Sequence, residues 1–231
     1  MKGAIFGDSL LRSLYRQPDG HRMIYDTTPW LERIAAETGI ELTNHSQIGS
    51  TVERGRMLFE KAVAKGLDAE LILLDYGGND ADHDWVAVAA DPEGEHPALT
   101  PIDRFYEAYD DFIARIRQLG MTPVMILPTP FLPENYIRFL SARVDAEAIR
   151  RYLVDINYMY RQEEAYAFAM TKIARKNDCF LIDMRTPLLN IRDIPSVMSM
   201  DGIHPLPEAY DIMWQTILDG LKEWQKENAE K

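Results

Sequence analysis

The sequence predicts an α/β fold: a mainly parallel sheet covered on both faces by helices. Three observations carry this. Five short apolar runs recur along the 231 residues, segments with helical spacing separate successive runs, and four of the five runs are continuously apolar. The alternation is that of βα units, and a strand buried on both faces has no polar side to show.

Residues 4–6 (Ala4-Ile5-Phe6) form the first strand, and Gly7-Asp8-Ser9-Leu10 turns it toward a helix expected from about Leu10. Residues 40–44 form the second; Ile40-Glu41-Leu42-Thr43 alternates in polarity, which places it at a sheet edge. The third covers residues 71–74. A helix follows over Phe105, Tyr109, Phe112, Ile113 and Ile116, which share one stripe, and Gly120 stops it ahead of Pro123. Residues 124–127 are the fourth strand. From Asp145 to Asn177 there is no Gly or Pro, which gives one long helix or two with a bend near residues 155–157. Because a mean helix has only about 11 to 12 residues, part of this segment is a candidate subunit interface. Residues 179–182 are the fifth strand, and Tyr210, Met213, Trp214, Ile217, Leu221 and Trp224 mark a last amphipathic helix.

Two connections are too long for simple turns. Residues 76–101 carry His83, Trp85, His96 and many acids, and residues 128–144 are punctuated by Pro128, Pro130 and Pro133. Both follow strands, so both are expected above the carboxyl ends of the sheet, where such loops act as lids or substrate walls. Trp85 is the candidate wall residue.

With 46% hydrophobic residues the chain reads as a single domain, residues 1–231. The formal net charge of -12, with no compensating basic stripe, argues against nucleic acid and anionic membranes as partners. Arg143, Arg150 and Arg151 are interleaved with Asp145 and Glu147, as on a solvated helical face. No apolar run approaches the roughly 18 residues of a membrane span, and the start lacks the pattern of a secretory signal, so a cytoplasmic location is expected. Asn44-His45-Ser46 fits a glycosylation sequon but is read as coincidence on the same ground. The lone cysteine, Cys179, cannot form an internal disulfide and is expected to be a buried, inert thiol.

Chemistry is concentrated in four short blocks. A serine at a sharp turn after a strand can act as a nucleophile beside free backbone amides, although Gly7-Asp8-Ser9 alone is equally a turn with a capping residue. Asp201-Gly202-Ile203-His204 can supply an imidazole to take the hydroxyl proton and a carboxylate to hold the ring's tautomer. Of the other histidines only His83, between Asp82 and Asp84, has comparable neighbours. Gly77-Gly78-Asn79-Asp80 follows the third strand, where glycine allows close approach and the Asn79 amide can donate to an oxyanion; Gly49, beyond the second strand, offers a further backbone donor. Asp80, Asp82 and Asp84 have the spacing of a calcium loop, but Trp85 stands where such a loop needs glycine and Asp91 where it needs glutamate, so no metal is expected.

These blocks, in this order, resemble the SGNH, or GDSL-type, hydrolase family. The resemblance implies a flavodoxin-like three-layer α/β/α fold with a five-stranded parallel sheet. It implies Ser9 as nucleophile, His204 as general base and Asp201 as its orienter, and an oxyanion hole from the Ser9 amide, the Gly49 amide and the Asn79 side chain. Asp8, Gly78 and Asp80 are given supporting roles. Leu11 replaces the second glycine of a G-x-S-x-G elbow, so the other common esterase motif is absent. The expected activity is hydrolysis of a short-chain acyl ester, acetyl as first choice and on a carbohydrate, through a Ser9 acyl-enzyme and without cofactor. A non-catalytic ligand-binding protein and an acyltransferase are the alternatives; the partner expected is a small-molecule ester, and a homo-oligomer is left open.

Overall fold

A computed structural model describes residues 1–229. In chain order its elements are β1 (Lys2–Gly7), β2 (Leu14–Arg16), β3 (Arg22–Ile24), α1 (Thr28–Thr38), β4 (Glu41–Asn44), α2 (Val52–Ala64) and β5 (Leu71–Asp75). They continue with α3 (Gly78–Ala81), α4 (Trp85–Ala90), α5 (Ile102–Gln118), β6 (Thr122–Leu127), α6 (Pro133–Leu140), α7 (Ala146–Leu153) and α8 (Asn157–Lys176). The chain ends through β7 (Phe180–Asp183), α9 (Arg185–Leu189), a 3-10 turn (Ile194–Val197) and α10 (Pro207–Ala229).

Five strands form one parallel sheet in the order β4-β1-β5-β6-β7, which is the flavodoxin-like order when the sheet strands are counted alone. Side chains alternate across it. Ala4, Phe6, Ile72, Leu74 and Met125 enter a core with α2, α5 and α8, whereas Ile5, Leu71, Leu73, Val124 and Ile126 enter a second core with α1 and α10. Both faces are therefore covered, and the continuous apolar runs follow from that. The stripe on α5 and that on α10 are fully buried in these cores, and Gly120 ends the α5 segment with φ +79, a left-handed conformation natural to glycine.

Three expectations need correction. The run 179–182 was expected to be buried on both faces, yet β7 is the sheet edge opposite β4, and Phe180 and Leu181 are only half-buried because no strand lies beyond them. Cys179 likewise is half-buried, although burial still pushes its thiol up to about 11. No helix follows Ser9: Arg12 donates to the Asp8 carbonyl as in one helical turn, but Ser13 takes φ +57 and the chain leaves as the hairpin β2–β3. Of the two readings offered for segment 145–177 the structure takes the second: two helices, broken at residues 154–156, where Val154 has φ +59. The two long connections are also partly helical, containing α3, α4 and α6.

These connections build a third apolar cluster above the sheet, in which Trp85, Val88, Tyr136, Ile137, Ile149 and Met159 pack together. No helix among the described residues is long and apolar enough to cross a membrane.

Candidate active site

The sheet reverses its winding between β1 and β5, and the chain segments leaving their carboxyl ends carry Ser9 and Asn79. In an open α/β sheet this switch point is where the crevice lies. Asp8 shapes the turn locally: its Oδ1 accepts the Leu10 amide at 2.8 Å, and the Leu14 amide returns to the Ser9 carbonyl at 3.0 Å. Ser9 is thereby held at the rim with its hydroxyl turned to His204.

The loop before α10 is equally constrained. Asp201 Oδ1 accepts the amides of Ile203 and His204, each at 3.1 Å. Gly202 has φ +72, and a Cβ there would lie 2.6 Å from the Leu132 carbonyl oxygen, so only glycine lets this loop seat against the start of α6. The result is a relay: His204 Nε2 lies 2.8 Å from Ser9 Oγ, and His204 Nδ1 lies 2.8 Å from Asp201 Oδ2. A carboxylate can only accept, so the proton sits on Nδ1 and Nε2 is left to accept from the serine hydroxyl. Burial works to raise the Asp201 carboxyl, but hydrogen bonds and charge from His204, with the loop amides, hold it below its ordinary value.

Around this relay the remaining predicted residues take distinct places. Asn79 lines the cavity; its Nδ2 donates to Asp8 Oδ2 at 2.6 Å and more weakly to the Ser50 carbonyl at 3.3 Å. Burial raises Asp8 to about 6 against the Leu10 amide, the His204 charge and the Asn79 bond. Asp80 caps α2, both its oxygens accepting the Val52 amide at 3.1 Å; burial raises it to about 7. Gly78 begins α3 and also lines the cavity. Gly49, exposed and left-handed at φ +70, lies in the turn between β4 and α2 and is not part of the cavity wall. Neither the Ser9 nor the Gly49 amide is taken up by a backbone carbonyl among the described residues.

The cavity itself holds about 190 Å³. Asp8, Ser9 and Asn79 from the strand ends line it together with a wall of Trp85, Phe131 and Met159 from the long connections and α8. One half-buried acid ties two members of that wall together. Asp82 accepts the Trp85 indole N–H and the Tyr136 hydroxyl, each at 2.6 Å, and burial raises its carboxyl. Asp84 instead caps α4 through the amides of Val86 and Ala87. Asp80, Asp82 and Asp84 are thus engaged separately and do not converge on one point. His83, also in the wall, sets its two ring nitrogens against the Pro97 carbonyl and Gln162.

Sequence reasoning missed the places of Asp82, Tyr136 and Arg16. Asp82 and Trp85 are three apart in sequence and readable as neighbours, but Tyr136 is not. Arg16, whose Nε lies 2.9 Å from Asp201 Oδ2, comes from the unanticipated hairpin; the Pro18-Asp19-Gly20 turn signature was the signal for it.

Comparison with known proteins agrees with this architecture. No curated protein matches the chain. Among solved structures, a lipase/acylhydrolase from Enterococcus faecalis superposes with TM-score 0.67 at 15% identity, covering 96% of this chain and 95% of that one. An acetylxylan esterase from Geobacillus stearothermophilus gives 0.65 at 15% identity, with 95% and 93% covered. A psychrotrophic esterase from a Pseudoalteromonas species, solved inhibited by monoethylphosphonate, gives 0.64 at 15%, with 97% and 98% covered. The model of the GDSL-like lipase/acylhydrolase family matches residues 5–212, nearly the full length that holds the rim loops and the sheet, and the chain belongs to that family.

Proposed function

We propose that this chain is a serine ester hydrolase that cleaves a short-chain acyl ester through an acyl-enzyme on Ser9. One observation carries the reading: a serine hydroxyl, an imidazole and a buried carboxylate stand in line at 2.8 Å and 2.8 Å on the wall of a cavity that can hold a small ester. Ser9 Oγ attacks the ester carbonyl as its proton passes to His204 Nε2, and Asp201 stabilises the imidazolium that forms. His204 then gives this proton to the departing alcohol. Water, deprotonated by the same imidazole, attacks the acyl-enzyme and releases the acid and free Ser9.

The oxyanion formed in each half-reaction takes hydrogen bonds from the Ser9 amide and the Asn79 side chain, with Asn79 exchanging its contact to Ser50 for the substrate. The third donor proposed is the Gly49 amide, which lies outside the cavity wall but next to Ser50, whose carbonyl Asn79 contacts. Asp8 aims the Asn79 amide, and Asp80 fixes the start of α2 beside it. The whole chain acts as one hydrolase domain in this reading.

An acetylated carbohydrate is the proposed substrate. The fold likeness to an acetylxylan esterase supports it, as does the presence of Trp85 in the wall. The cavity exceeds what an acetyl group fills, since an apolar void of about 150 Å³ already accepts benzene, which leaves room for part of the alcohol.

The test has two arms. A fluorophosphonate probe labels Ser9 rapidly, with the adduct mapped by mass spectrometry; failure to label, or labelling of another residue, overturns the nucleophile. Hydrolysis of acetyl to octanoyl esters of p-nitrophenol and of sugars, with Ser9→Ala as the blank, then reads the substrate. Acetyl sugars are expected to be cleaved with the highest kcat/KM, and transfer to added sugar in place of acid release would convert the reading to an acyltransferase.

A further inference from the structure

The proposed mechanism leaves one buried charge at the relay unused. Arg16, on β2, is buried and donates from Nε to Asp201 Oδ2 at 2.9 Å, the same oxygen that faces His204 Nδ1. The contact is held from several sides. The Arg16 amide donates to Ser199 Oγ at 3.0 Å, Nη1 donates to the Gly20 carbonyl at 3.0 Å across the hairpin, and the guanidinium carbon lies 4.7 Å over the Phe139 ring of α6. A guanidinium stays charged at every working pH, and stacking on an aromatic face suits its planar, weakly hydrated form.

From this geometry we infer that Arg16 is a positioning residue, which fixes Asp201 against His204 and sets the lowest pH at which the imidazole is free to take the Ser9 proton. The inference rests on the assignment of Ser9, His204 and Asp201 above. Two physical effects are involved. With Oδ1 taken by two loop amides, Asp201 cannot rotate while Oδ2 is shared between the imidazole and the guanidinium, so the ring is held in line with Ser9. The same sharing draws negative charge away from the imidazole and adds a fixed positive charge nearby, so a second proton on His204 is stabilised less than by Asp201 alone. Hydrolysis therefore persists to lower pH than an unshared Asp–His pair would allow.

The other groups that act on this imidazole are few. Ser9 and Asp201 contact it, and Asp8 reaches it through space from the β1 turn. Tyr136 from α6 and Tyr210 from α10 stand near Asp201, and burial raises both phenols so that they stay neutral across the range of interest. Arg16 is the cation among them.

The experiment compares Arg16→Met, Arg16→Gln and Arg16→Lys with the parent, by pH profile of kcat/KM on p-nitrophenyl acetate and by NMR titration of the His204 ring. Removing the charge in Arg16→Met moves the acid limb and the ring titration up by about 1 pH unit, the lower end of the usual effect of a nearby charge. It also lowers kcat by about tenfold, roughly 1.4 kcal/mol, with KM within about twofold. Arg16→Gln, which keeps the stem and an N–H donor, repeats the shift in a less perturbed fold, and Arg16→Lys restores the limb to within about 0.3 unit of the parent. A merely structural role would lower thermal stability and activity in all three variants without moving the limb, and an unmoved titration in both neutral variants overturns the inference. The ring titration needs no turnover. Lack of Ser9-dependent hydrolysis with a shifted titration would fail the functional reading alone, whereas Ser9-dependent hydrolysis with an unshifted titration would fail only the role of Arg16.

Discussion

Residues 7–9, 75–80 and 201–204 leave the rim of the sheet as short loops whose polar side chains largely bond one another, while the wall facing them is an aromatic shell made of connections 82–88 and 131–159. The rim holds His204 within 2.8 Å of both Ser9 and Asp201, in loops set by parallel strands. Among the described residues the wall touches no member of the relay by hydrogen bond; it is held by apolar packing and by Asp82, whose carboxylate ties Trp85 to Tyr136. In the proposed mechanism the comparison assigns rate to one side and fit to the other. Substitutions on the two sides should then separate kcat from KM and from stability.

The sharpest break comes from Ser9→Ala. Loss of the nucleophile in a serine hydrolase template costs kcat about 10⁶-fold, and turnover of p-nitrophenyl acetate should fall to the blank while Tm changes by no more than a few degrees, since only one hydroxyl at the cavity wall is removed. Asn79→Ala comes next. Loss of one oxyanion donor costs kcat about 100- to 1000-fold, with KM little changed, because the amide is called on only as charge develops. A rise in KM at constant kcat would place Asn79 on the binding side and blur the division.

Much of the rim was legible in the sequence because its geometry is local. Asp201 and His204 are three residues apart in a loop that their own amides close, and Asp8 bonds an amide two residues on. The meeting of Ser9 with His204, 195 positions away, came only through the family resemblance, since no spacing rule joins two loops across a sheet. The wall was legible as two long connections with Trp85 in one of them, but the bond that joins them was not, for the same reason: Tyr136 meets Asp82 across 54 positions, and nothing near either residue announces the partner. Apolar runs fixed the strands but not their depth. Phe180 and Leu181 read like Leu73 and Leu74, yet β7 has a neighbour on one side only. Ser13 shows a different limit, because its left-handed backbone ends a helical turn that Leu10 and Leu11 favour, and serine carries no signal for φ +57.

On the wall, Asp82→Leu removes the acceptor for a buried indole N–H and a buried hydroxyl. Leaving each unpaired costs about 1 to 3 kcal/mol, so the pair should lower Tm by roughly 5 to 15 °C at the few degrees per kcal/mol usual for this chain length. On acetyl esters kcat should stay within about threefold of the parent, while KM for sugar esters rises. Calorimetry with steady-state kinetics on both ester classes checks it. If kcat for the small acetyl ester collapses with Tm unchanged, the wall acts on chemistry and the comparison fails.

The smallest effect sets one acid against another. Asp82 has both oxygens bonded, whereas Asp75, the last residue of β5 and paired in register with Gly7, is fully buried with neither oxygen bonded among the described residues. Burial, reinforced by the charge of Asp8, raises Asp75 well above the ordinary carboxylate value. The consequence has a definite sign. Below about pH 4, the ordinary Asp range, folded and unfolded chains both hold the proton and the group is neutral to stability. Above it the unfolded chain releases the proton while the folded chain retains it, so stability falls with rising pH until the folded carboxyl itself ionises. Asp75→Asn keeps the shape and removes the titration. The Tm of Asp75→Asn relative to the parent should therefore be near zero at pH 4 and increasingly positive toward pH 8, with activity nearly unchanged because Asp75 contacts neither Ser9 nor His204. An advantage that is equal at both pH values, or reversed, would mean that Asp75 is ionised and satisfied in the folded chain, and that the rim carries its acids at no more cost than the wall does.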